Sequence, residues 1–348
     1  MRLFPWLKRK STREQEKIRV EHPEWWSGEE DVSLMSQAFL HFPWIFGAVS
    51  LIADNSARVP YTIEQKEKEE WKEVPEDHPA KGFFASIHPL LSFAELIEHT
   101  VGHLCLTGNA YWRLDFADIP TSVSLLPPHC IRPRIRNHHF YGWEYRENGK
   151  TEFIPAEEMV HFHLFSPFSL LAGTSPLKPL TSSLLLDHHI LAYHREYFQK
   201  KAHSAGYFRT EKDLSEQAVK RLKAELESAY SGRQGFTRPM ILFGGMTFHP
   251  LSVPPREMSF AELRQEVRRD ILAIFRVPPI LLGMDVANYA TARVQKQAFW
   301  QETIFPLLSK LEHTIQFRII RHFEEKWHQH LRFRFVMEKI LSEEISNP

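Results

Sequence analysis

The 348-residue sequence has few cysteines, no excess of either charge and no long apolar run. Its two cysteines, Cys105 and Cys130, form no CxxC pair, which argues against a disulfide scaffold and favours a reducing compartment. The 43 basic and 43 acidic residues cancel, so no global field draws the chain to nucleic acid or to an anionic membrane. No apolar stretch is long enough for a membrane span or a signal peptide. We therefore expect a soluble intracellular protein with no membrane partner.

The sequence also lacks the common motifs of catalysis. No GxSxG elbow is present, and Ser175 in GTSPL precedes a proline, which favours a helix entry. The glycines of FGGMTF are not followed by Lys-Ser/Thr, so they form no phosphate-binding loop. His99 and His103 enclose no glutamate, as a zincin requires, and no other histidine has a cysteine or carboxylate at a ligand spacing. The sequence predicts no enzyme, no cofactor and no metal site.

Modules that read nucleic-acid sequence are missing as well, since there is no zinc finger, RNP aromatic pair or helix-turn-helix spacing. Weak basic clusters remain. Residues 1–20 carry seven Lys/Arg against two Glu, which favours a solvated tail, with a basic arm on nucleic acid as the alternative. The segment 204–255 holds seven Lys/Arg against five Asp/Glu, and Arg132, Arg134 and Arg136 follow one predicted strand. Ordinary solvated faces account for most such clusters.

What the sequence does contain is a mixed helix and strand pattern with ample apolar residues for packed cores. Ser92 followed by Glu95 is a capping box, and Asn148-Gly149 predicts a tight hairpin. The apolar spacing predicts helices, and the alternation of apolar and polar residues predicts strands. The predicted helices begin after Pro43, at Ser92, after Pro179, near 213, at 256 and near 291, and the predicted strands fall at 58–65, 110–116, within 119–165, within 204–255 and near 331–338. The fold class that follows is α+β.

Seven segments, taken in order, carry a resemblance to a known family. They are GNAYWRL at 108–114, the strand with LLPP at 123–128, IPAEEMVHFHLFSP at 154–167, GTSPL at 173–177, ILFGGMTFHPLS at 241–252, REMSFAELRQEVRRDILAIFRVPPILLG at 256–283 and FWQETIFPLLSKLEHTI at 299–315. No single piece is specific, but the shared order is. The sequence resembles the portal proteins of long-tailed, siphovirus-type bacteriophages and of related gene-transfer particles.

The sequence departs from the family pattern at two places. Where family members have Gly-Val-Pro after the helix at 256–276, this chain has Arg276-Val277-Pro278, which changes the entry into the next loop. Many portals continue into a helical C-terminal crown, whereas few residues follow Lys326 here. We expect a short or absent crown.

The resemblance implies a portal fold and a division of the chain into functional parts. These parts are a basic N-terminal tail at 1–30, an α/β wing at 31–175, a first stem helix at 176–203, a small α/β clip at 204–255, a second stem helix at 256–276, a tunnel loop at 277–290, a long kinked wing helix at 291–326, and a C-terminal strand with a vestigial crown at 327–348.

The implied function is a ring-shaped homo-oligomer, usually of twelve subunits, at one capsid vertex, through which double-stranded DNA is packaged and ejected without sequence specificity. Implied partners are the large terminase, the major capsid protein and scaffold, and the head-completion or adaptor proteins. The protein would be located in the virion, and in the bacterial host cytoplasm during assembly. Because the terminase supplies the ATPase, the missing phosphate loop fits this reading.

The resemblance also implies candidate residues for each part. The tunnel loop facing DNA would be Pro278, Pro279, Ile280, Leu281, Leu282, Gly283 and Met284; the stem helix would present Arg264, Glu266, Arg268, Arg269 and Asp270; and the basic candidates of the clip are Arg209, Lys220, Arg221, Lys223, Arg233 and Arg238. Nearly balanced charge on the stem suits a wall along which DNA slides, because each neutralised phosphate adds to affinity. The same balance is typical of any surface helix.

Alternatives stay open for the apolar loop and for the whole chain. For the apolar loop, one interpretation is an uncharged rim that touches DNA without holding its phosphates, and the other is a helix-terminating turn packed against a neighbouring subunit. For the whole chain, the alternatives to a portal are another structural head–tail connector component and a histidine-rich metal-dependent hydrolase. Adaptor proteins are normally much shorter than this sequence, and elemental analysis would reveal a hydrolase metal.

Overall fold

The computed structural model describes residues 38–136, 139–199, 206–210, 215–230, 246–250, 260–283 and 289–340. The predicted basic tail, Met284, Arg233 and Arg238 lie outside these residues. Residues 231–245, which make up most of the segment between the helix and the last strand of the predicted clip, also lie outside the described residues.

Helices and strands alternate irregularly along the chain, as the pattern analysis predicted. The helices are α1 (Pro43–Ala57), α2 (Pro79–Ala85), α3 (Phe93–Thr107), α4 (Thr181–Gln199), α5 (Glu216–Tyr230), α6 (Phe260–Phe275), α7 (Tyr289–Phe299), α8 (Phe305–Ile315) and α9 (Arg321–Trp327). The strands are β1 (Tyr61–Glu67), β2 (Glu70–Glu73), β3 (Asn109–Phe116), β4 (Pro120–Leu126), β5 (Ile131–Arg136), β6 (His139–Glu147), β7 (Lys150–Pro155), β8 (Met159–His163), β9 (Gly206–Arg209), β10 (Thr247–Pro250) and β11 (Leu331–Phe335).

Within the described residues the strands form small antiparallel sheets, in the orders β11-β1-β2, β4-β3-β8, β5-β6-β7 and β10-β9. The β6–β7 turn has Asn148 and Gly149 at φ 48° and 77°, as a two-residue hairpin of this type requires. In the segment predicted as the clip, Gly206–Arg209 pairs with Thr247–Pro250, so the two ends of the segment meet.

The predicted C-terminal strand is present and is part of the main body. It pairs with β1 from Tyr61↔Phe335 to Gln65↔Leu331, and its alternate side chains Leu331, Phe333 and Phe335 are buried. The strand therefore joins the end of the described chain to its beginning. Residues 341–348, where any vestigial crown would continue, lie outside the described part.

Local sequence chemistry explains where the helices begin and end. Ser92 accepts from the Glu95 amide at 3.2 Å while the Glu95 carboxylate accepts from the Ser92 amide at 2.8 Å, so the predicted capping box is confirmed. Helix α3 then ends at Gly108, whose φ of 76° is a conformation that glycine adopts without strain. The apolar face of α3 packs on α1 and buries Leu96, Val101 and Leu104 among others.

The long helix predicted after residue 291 is continuous but irregular. Helices α7, α8 and α9 follow one another through π-helical turns at Trp300–Ile304 and Gln316–Ile320. The first π turn comes directly before Pro306, which lies in the first turn of α8. A proline lacks the amide that a helix interior needs, and a widened turn is one way to seat it. The kink predicted at Pro306 stays a prediction, and the structure shows a π turn directly before that proline.

Most buried apolar residues belong to one core formed by α1, α3, α6, α8 and the β11-β1-β2 and β4-β3-β8 sheets. Trp112 and Trp300 are among its largest fully buried side chains. A smaller cluster around Trp143 joins the β4-β3-β8 and β5-β6-β7 sheets. The end of α6 packs into the main core, which fixes the position of the chain that follows it.

Candidate functional site

The predicted stem helices α4 and α6 pack against each other and run in opposite directions. Arg264 donates from Nε to Oδ1 of Asp187 at 2.7 Å, and Ser183 donates from Oγ to Oδ2 of Asp270 at 2.7 Å. Asp187 is buried, so its charge depends on Arg264 for compensation. Two of the five stem residues, Arg264 and Asp270, therefore hold the helix pair together.

Arg268, the third stem candidate, is committed to α1. Its guanidinium lies 5.0 Å from the ring centroid of Trp44, at a cation–π distance. The Nε atom of Arg268 is buried and has no hydrogen-bond acceptor. The other two candidates, Glu266 and Arg269, are exposed.

Helix α6 ends in a Schellman motif built around Arg276. The amide of Arg276 donates to the Ala273 carbonyl at 3.2 Å, and the amide of Val277 donates to the Leu272 carbonyl at 2.9 Å. Val277 and Leu272 are both buried, which supplies the apolar contact of this motif. Arg276 has φ 53°, a left-handed conformation that costs a non-glycine residue about 1–2 kcal/mol. The arginine thus occupies a conformation for which glycine is better suited.

The apolar stretch after α6 is a helical turn and not an open loop. Pro279–Leu282 forms a 3-10 helix with proline at its start, where the missing amide is tolerated, and Gly283 closes it at φ 70°. Leu281 and Leu282 pack in part against the main core. A Cβ on Gly47 of α1 would lie 3.4 Å from a Leu282 methyl carbon, so that leucine sits on α1.

The DNA-facing rim stays a prediction, and the structure shows how far the chain itself covers each of its residues. Pro278, Pro279, Ile280, Leu281 and Leu282 are all half-buried in the single chain. The physical reason is that a 3-10 turn places its side chains around the axis, so some of them face the body. Of the three aliphatic residues, Ile280 is the one that is not packed against the main core.

The clip candidates that the structure describes are solvent-exposed. Arg209 lies at the end of β9, and Lys220, Arg221 and Lys223 lie on α5. Exposure is compatible with a role in binding and equally with a solvated face. Among the described residues, none of them forms a hydrogen bond or an ion pair with α4 or α6.

A second, tightly built junction joins three of the segments that carried the family resemblance. Asn109 donates from Nδ2 to the Gly173 carbonyl at 3.1 Å, and its Oδ1 accepts from the Gly173 amide at 2.6 Å. The Gly108 carbonyl accepts from the Leu164 amide at 2.8 Å, and Ser175 donates to the Leu106 carbonyl at 2.5 Å. Ser175 is therefore a structural hydrogen-bond donor at the helix entry, in agreement with the sequence analysis.

The glycines of this junction are required by close backbone contact. A Cβ on Gly173 would lie 2.0 Å from the Gly108 carbonyl oxygen, and a Cβ on Gly108 would lie 2.5 Å from the Thr174 carbonyl oxygen. Neither oxygen belongs to a flexible side chain, so any other residue would displace backbone.

A half-buried histidine completes the junction. His161 stacks on Tyr111 at 4.5 Å and donates from Nε2 to Oδ1 of Asn109 at 3.0 Å. Burial, with His163 and Arg318 nearby, lowers the pKa of His161 to about 3. Burial likewise lowers the pKa of His103 to about 4 and raises the pKa of Cys105 to about 12. These groups are neutral at pH 7, and within the described residues no three or more His, Cys, Asp or Glu side chains are grouped to hold a metal ion.

Comparison with known proteins decides the family. The model of the phage portal protein family matches residues 43–347. The chain belongs to the phage portal protein family. Chains of known structure share its fold. Chains of the native gene transfer agent virion and of its neck, the latter computed with C12 symmetry, have TM-scores of 0.66 and 0.62, each at 22% identity.

The alignment covers 92% and 91% of this chain and 88% of each of those chains. An HK97-family phage portal protein from Corynebacterium diphtheriae has a TM-score of 0.61 at 16% identity, with 88% of this chain and 96% of that chain covered. The predicted family and fold class are confirmed. In the described residues of this portal chain, no helix combines the length and apolarity that a membrane span needs.

Sequence reasoning missed the partners that fix the site. Trp44, Ser183 and Asp187 were not singled out, although each contacts a stem candidate. The available signal was Asp187 itself, which lies three residues from the apolar Leu184 and Ile190 of α4. Asn109 was also missed as the centre of the junction, since its role depends on contacts across 52 and 64 residues of sequence.

Proposed function

We propose that this chain forms a ring of about twelve copies, the usual number for the family it resembles, at one vertex of a phage-type capsid. Double-stranded DNA would pass through the ring during packaging and ejection. The observation that carries the proposal is the family match over residues 43–347. The fold likeness to a chain in a neck with C12 symmetry supports the ring.

The parts of the chain would divide this work. The α/β region at 31–175 and the long helix at 291–326 would form the wing, α4 and α6 the stem, and 204–255 the clip. The clip would meet the large terminase and then the head-completion or adaptor proteins, while the wing would face the major capsid protein and scaffold. The protein would assemble in the host cytoplasm and remain in the virion.

The charged residues of the α4–α6 pair suit a channel wall that does not bind DNA tightly. Arg264 and Asp270 are engaged with α4, and Arg268 with Trp44, so three charged groups of the stem are occupied within the chain. We propose that the surface of residues 278–283 left uncovered by the core faces the duplex. An apolar surface adds no phosphate contacts, and DNA held by many such contacts would bind in a salt-dependent way.

Imaging of the purified full chain by negative stain, with mass measurement, tests the ring. We expect closed rings with an axial hole wide enough for duplex DNA. A chain that stays monomeric at every salt concentration tested would refute the proposal.

The DNA-facing surface is tested by adding charge to it. Ile280→Lys should leave rings intact, since Ile280 is not packed on the main core. With cognate terminase and empty proheads, the added cations should slow packaging, and the slowing should weaken as salt rises. The control is Leu90→Lys, because Leu90 is 86% exposed and lies before α3, far along the chain from residues 278–283. Packaging at the wild-type rate by Ile280→Lys rings would place the surface elsewhere.

A further inference from the structure

Helix α6 carries opposite charges on two of its flanks. Glu262, Glu266 and Asp270 follow one another at intervals of four residues, so they line one side of the helix. On the adjoining side of the helix, Arg268, Arg269 and Arg276 border an open cavity of 450 Å³ that Gln265 also lines. Arg269 is three residues from Glu266, so it lies at the boundary between the two sides. We call the first set the acidic flank and the second the arginine cavity.

Among the described residues, none that lines the arginine cavity is acidic. In the part of the chain that the structure describes, no ion pair is found for Arg268, Arg269 or Arg276, although Arg264 one turn away is paired with Asp187. The buried Nε of Arg268 has no acceptor. Three guanidinium groups around one space repel one another unless an anion enters it.

The acidic flank is uncompensated in the same way. Glu262 and Glu266 are exposed and have no ion pair in the described residues, whereas Asp270 accepts the hydroxyl of Ser183. The chain thus presents two carboxylates and a three-arginine cavity on neighbouring flanks of a single helix. Each flank has the charge that the other requires.

Arg276 adds a second reason to look outside the chain for a ligand. It has φ 53° at a position where glycine would avoid strain. Strained backbone that persists at a polar cavity is typical of a site with a binding role. Within the described residues its guanidinium has no ion pair that would offset this cost.

We infer that the arginine cavity binds the acidic flank of a second copy of this chain. The inference rests on the proposed ring, in which neighbours are related by rotation about the ring axis. Such neighbours present different flanks to each other, in what is called a heterologous interface. Glu266 and Arg269 are three residues apart, about 4.5 Å along the helix. Neighbouring α6 helices in the same orientation therefore bring these groups to nearly the same height.

A phosphate of DNA is the competing ligand for the same cavity, and the structure favours the carboxylates. The complementary charges lie on the same helix or directly after it and recur with every copy, so in a closed ring each arginine cavity would meet carboxylates of a neighbour. Three arginines per copy directed at DNA would instead add many phosphate contacts and hold a duplex that has to move.

Charge reversal on one flank at a time tests the inference in the full-length chain. One variant carries Glu262→Lys and Glu266→Lys, and the other carries Arg269→Glu and Arg276→Glu. Arg268 is left unchanged because it packs on Trp44. At about 50 mM salt we expect each variant alone to need at least a tenfold higher concentration to form rings, measured by native mass spectrometry.

An equal mixture of the two variants should recover rings in which the two kinds alternate, since each acidic flank then meets a cavity of opposite charge. Alternation requires an even number of subunits, which the mass would show. Recovery in the mixture also proves that both variants fold. Lys220→Glu with Lys223→Glu, on exposed positions of α5, is the matched control and should assemble like wild type.

Three results would overturn the inference. Wild-type assembly by both variants would do so while leaving the proposed ring intact. Normal rings of the arginine variant with weaker, less salt-dependent binding of duplex DNA would assign the cavity to phosphate. A monomeric wild-type chain would remove the proposed function itself, and this inference with it.

Discussion

Two places in the molecule use left-handed backbone in opposite ways. At the junction of residues 108–109, 161–164 and 173–175, Gly108 has φ 76° and Gly173 touches the Gly108 carbonyl, so the neighbouring backbone excludes any side chain. At the end of α6, Arg276 has φ 53°, and its side chain reaches open cavities. At the junction, atoms of the chain itself fill the space beside the glycines, whereas the space beside Arg276 is open.

The difference shows what determines the residues in each place. At the junction, Asn109 has both polar side-chain atoms bonded to the chain, and the glycines are fixed by contacts of 2.0 to 2.5 Å that a Cβ would make. At the end of α6, arginines with no ion pair among the described residues and half-buried aliphatic residues are not explained by the contacts that the structure describes. Residues of the first kind stabilise the fold, and residues of the second kind suit binding to another molecule.

The largest expected effect is at the junction. Gly173→Ala places a methyl group against a backbone oxygen, and we expect it to lower the free energy of unfolding by about 3 kcal/mol or to prevent folding. Chemical denaturation followed by circular dichroism measures this. Gly102→Ala is the control, because a Cβ there meets nothing within 4 Å and alanine favours the helix by about 1 kcal/mol. Equal stabilities for the two variants would mean that the junction is loosely packed.

The junction should also be sensitive to acid. Because the pKa of His161 in the folded chain is about 3, the unfolded chain binds a proton below pH 6.5 that the folded chain does not bind. Stability is therefore lost as pH falls from 6.5 towards 3, and His161 alone contributes a loss of about 2 kcal/mol by pH 5. Denaturation at pH 7 and pH 5 measures the loss.

His161→Gln should remove this part of the loss, since glutamine can still donate to Asn109 and does not titrate. His328→Gln, at an exposed position, serves as the comparison and should leave the acid sensitivity unchanged. If the stability of His161→Gln depended on pH as strongly as that of the wild type, the imidazole of His161 would be protonated equally in the folded and the unfolded chain.

A smaller effect is expected at Asp187, a buried charge of the α4–α6 pair. Arg264→Ala leaves Asp187 buried without a partner, which we expect to cost about 1–2 kcal/mol, less than for a fully buried pair because Arg264 is 42% exposed. Adding Asp187→Ala should recover part of this loss, and Lys220→Ala should change little. Additive losses in the double variant would mean that the two residues do not interact.

The sequence was sufficient to predict elements whose signals are local. The capping box at Ser92 and the Asn148-Gly149 turn each depend on residues within a few positions of one another, and both are confirmed. The apolar spacing of α6 is reproduced in part, because Val267 and Ile271 are buried but Ile274 is 39% exposed. Motif order was enough for the family and the fold class.

The candidate site was less predictable because its contacts are long-range. Trp44 meets Arg268, and Leu282 packs on Gly47, across more than 200 residues in each case. A run of aliphatic residues after a proline pair is equally compatible with an open loop and with a turn packed on the body. Only the position of α1 against α6 decides between them.

The smallest predicted effect bears directly on the unfilled end of α6. Arg276→Gly relieves the left-handed strain, and we expect it to raise the free energy of unfolding by about 0.5–1 kcal/mol, part of the gain being offset by the greater freedom of glycine in the unfolded chain. The measurement is chemical denaturation at concentrations where the chain is unassembled. Arg276→Ala keeps the strain and removes the guanidinium, so it should show no gain. If alanine stabilises the chain as much as glycine does, the cost at this position comes from repulsion among the three arginines and not from the backbone.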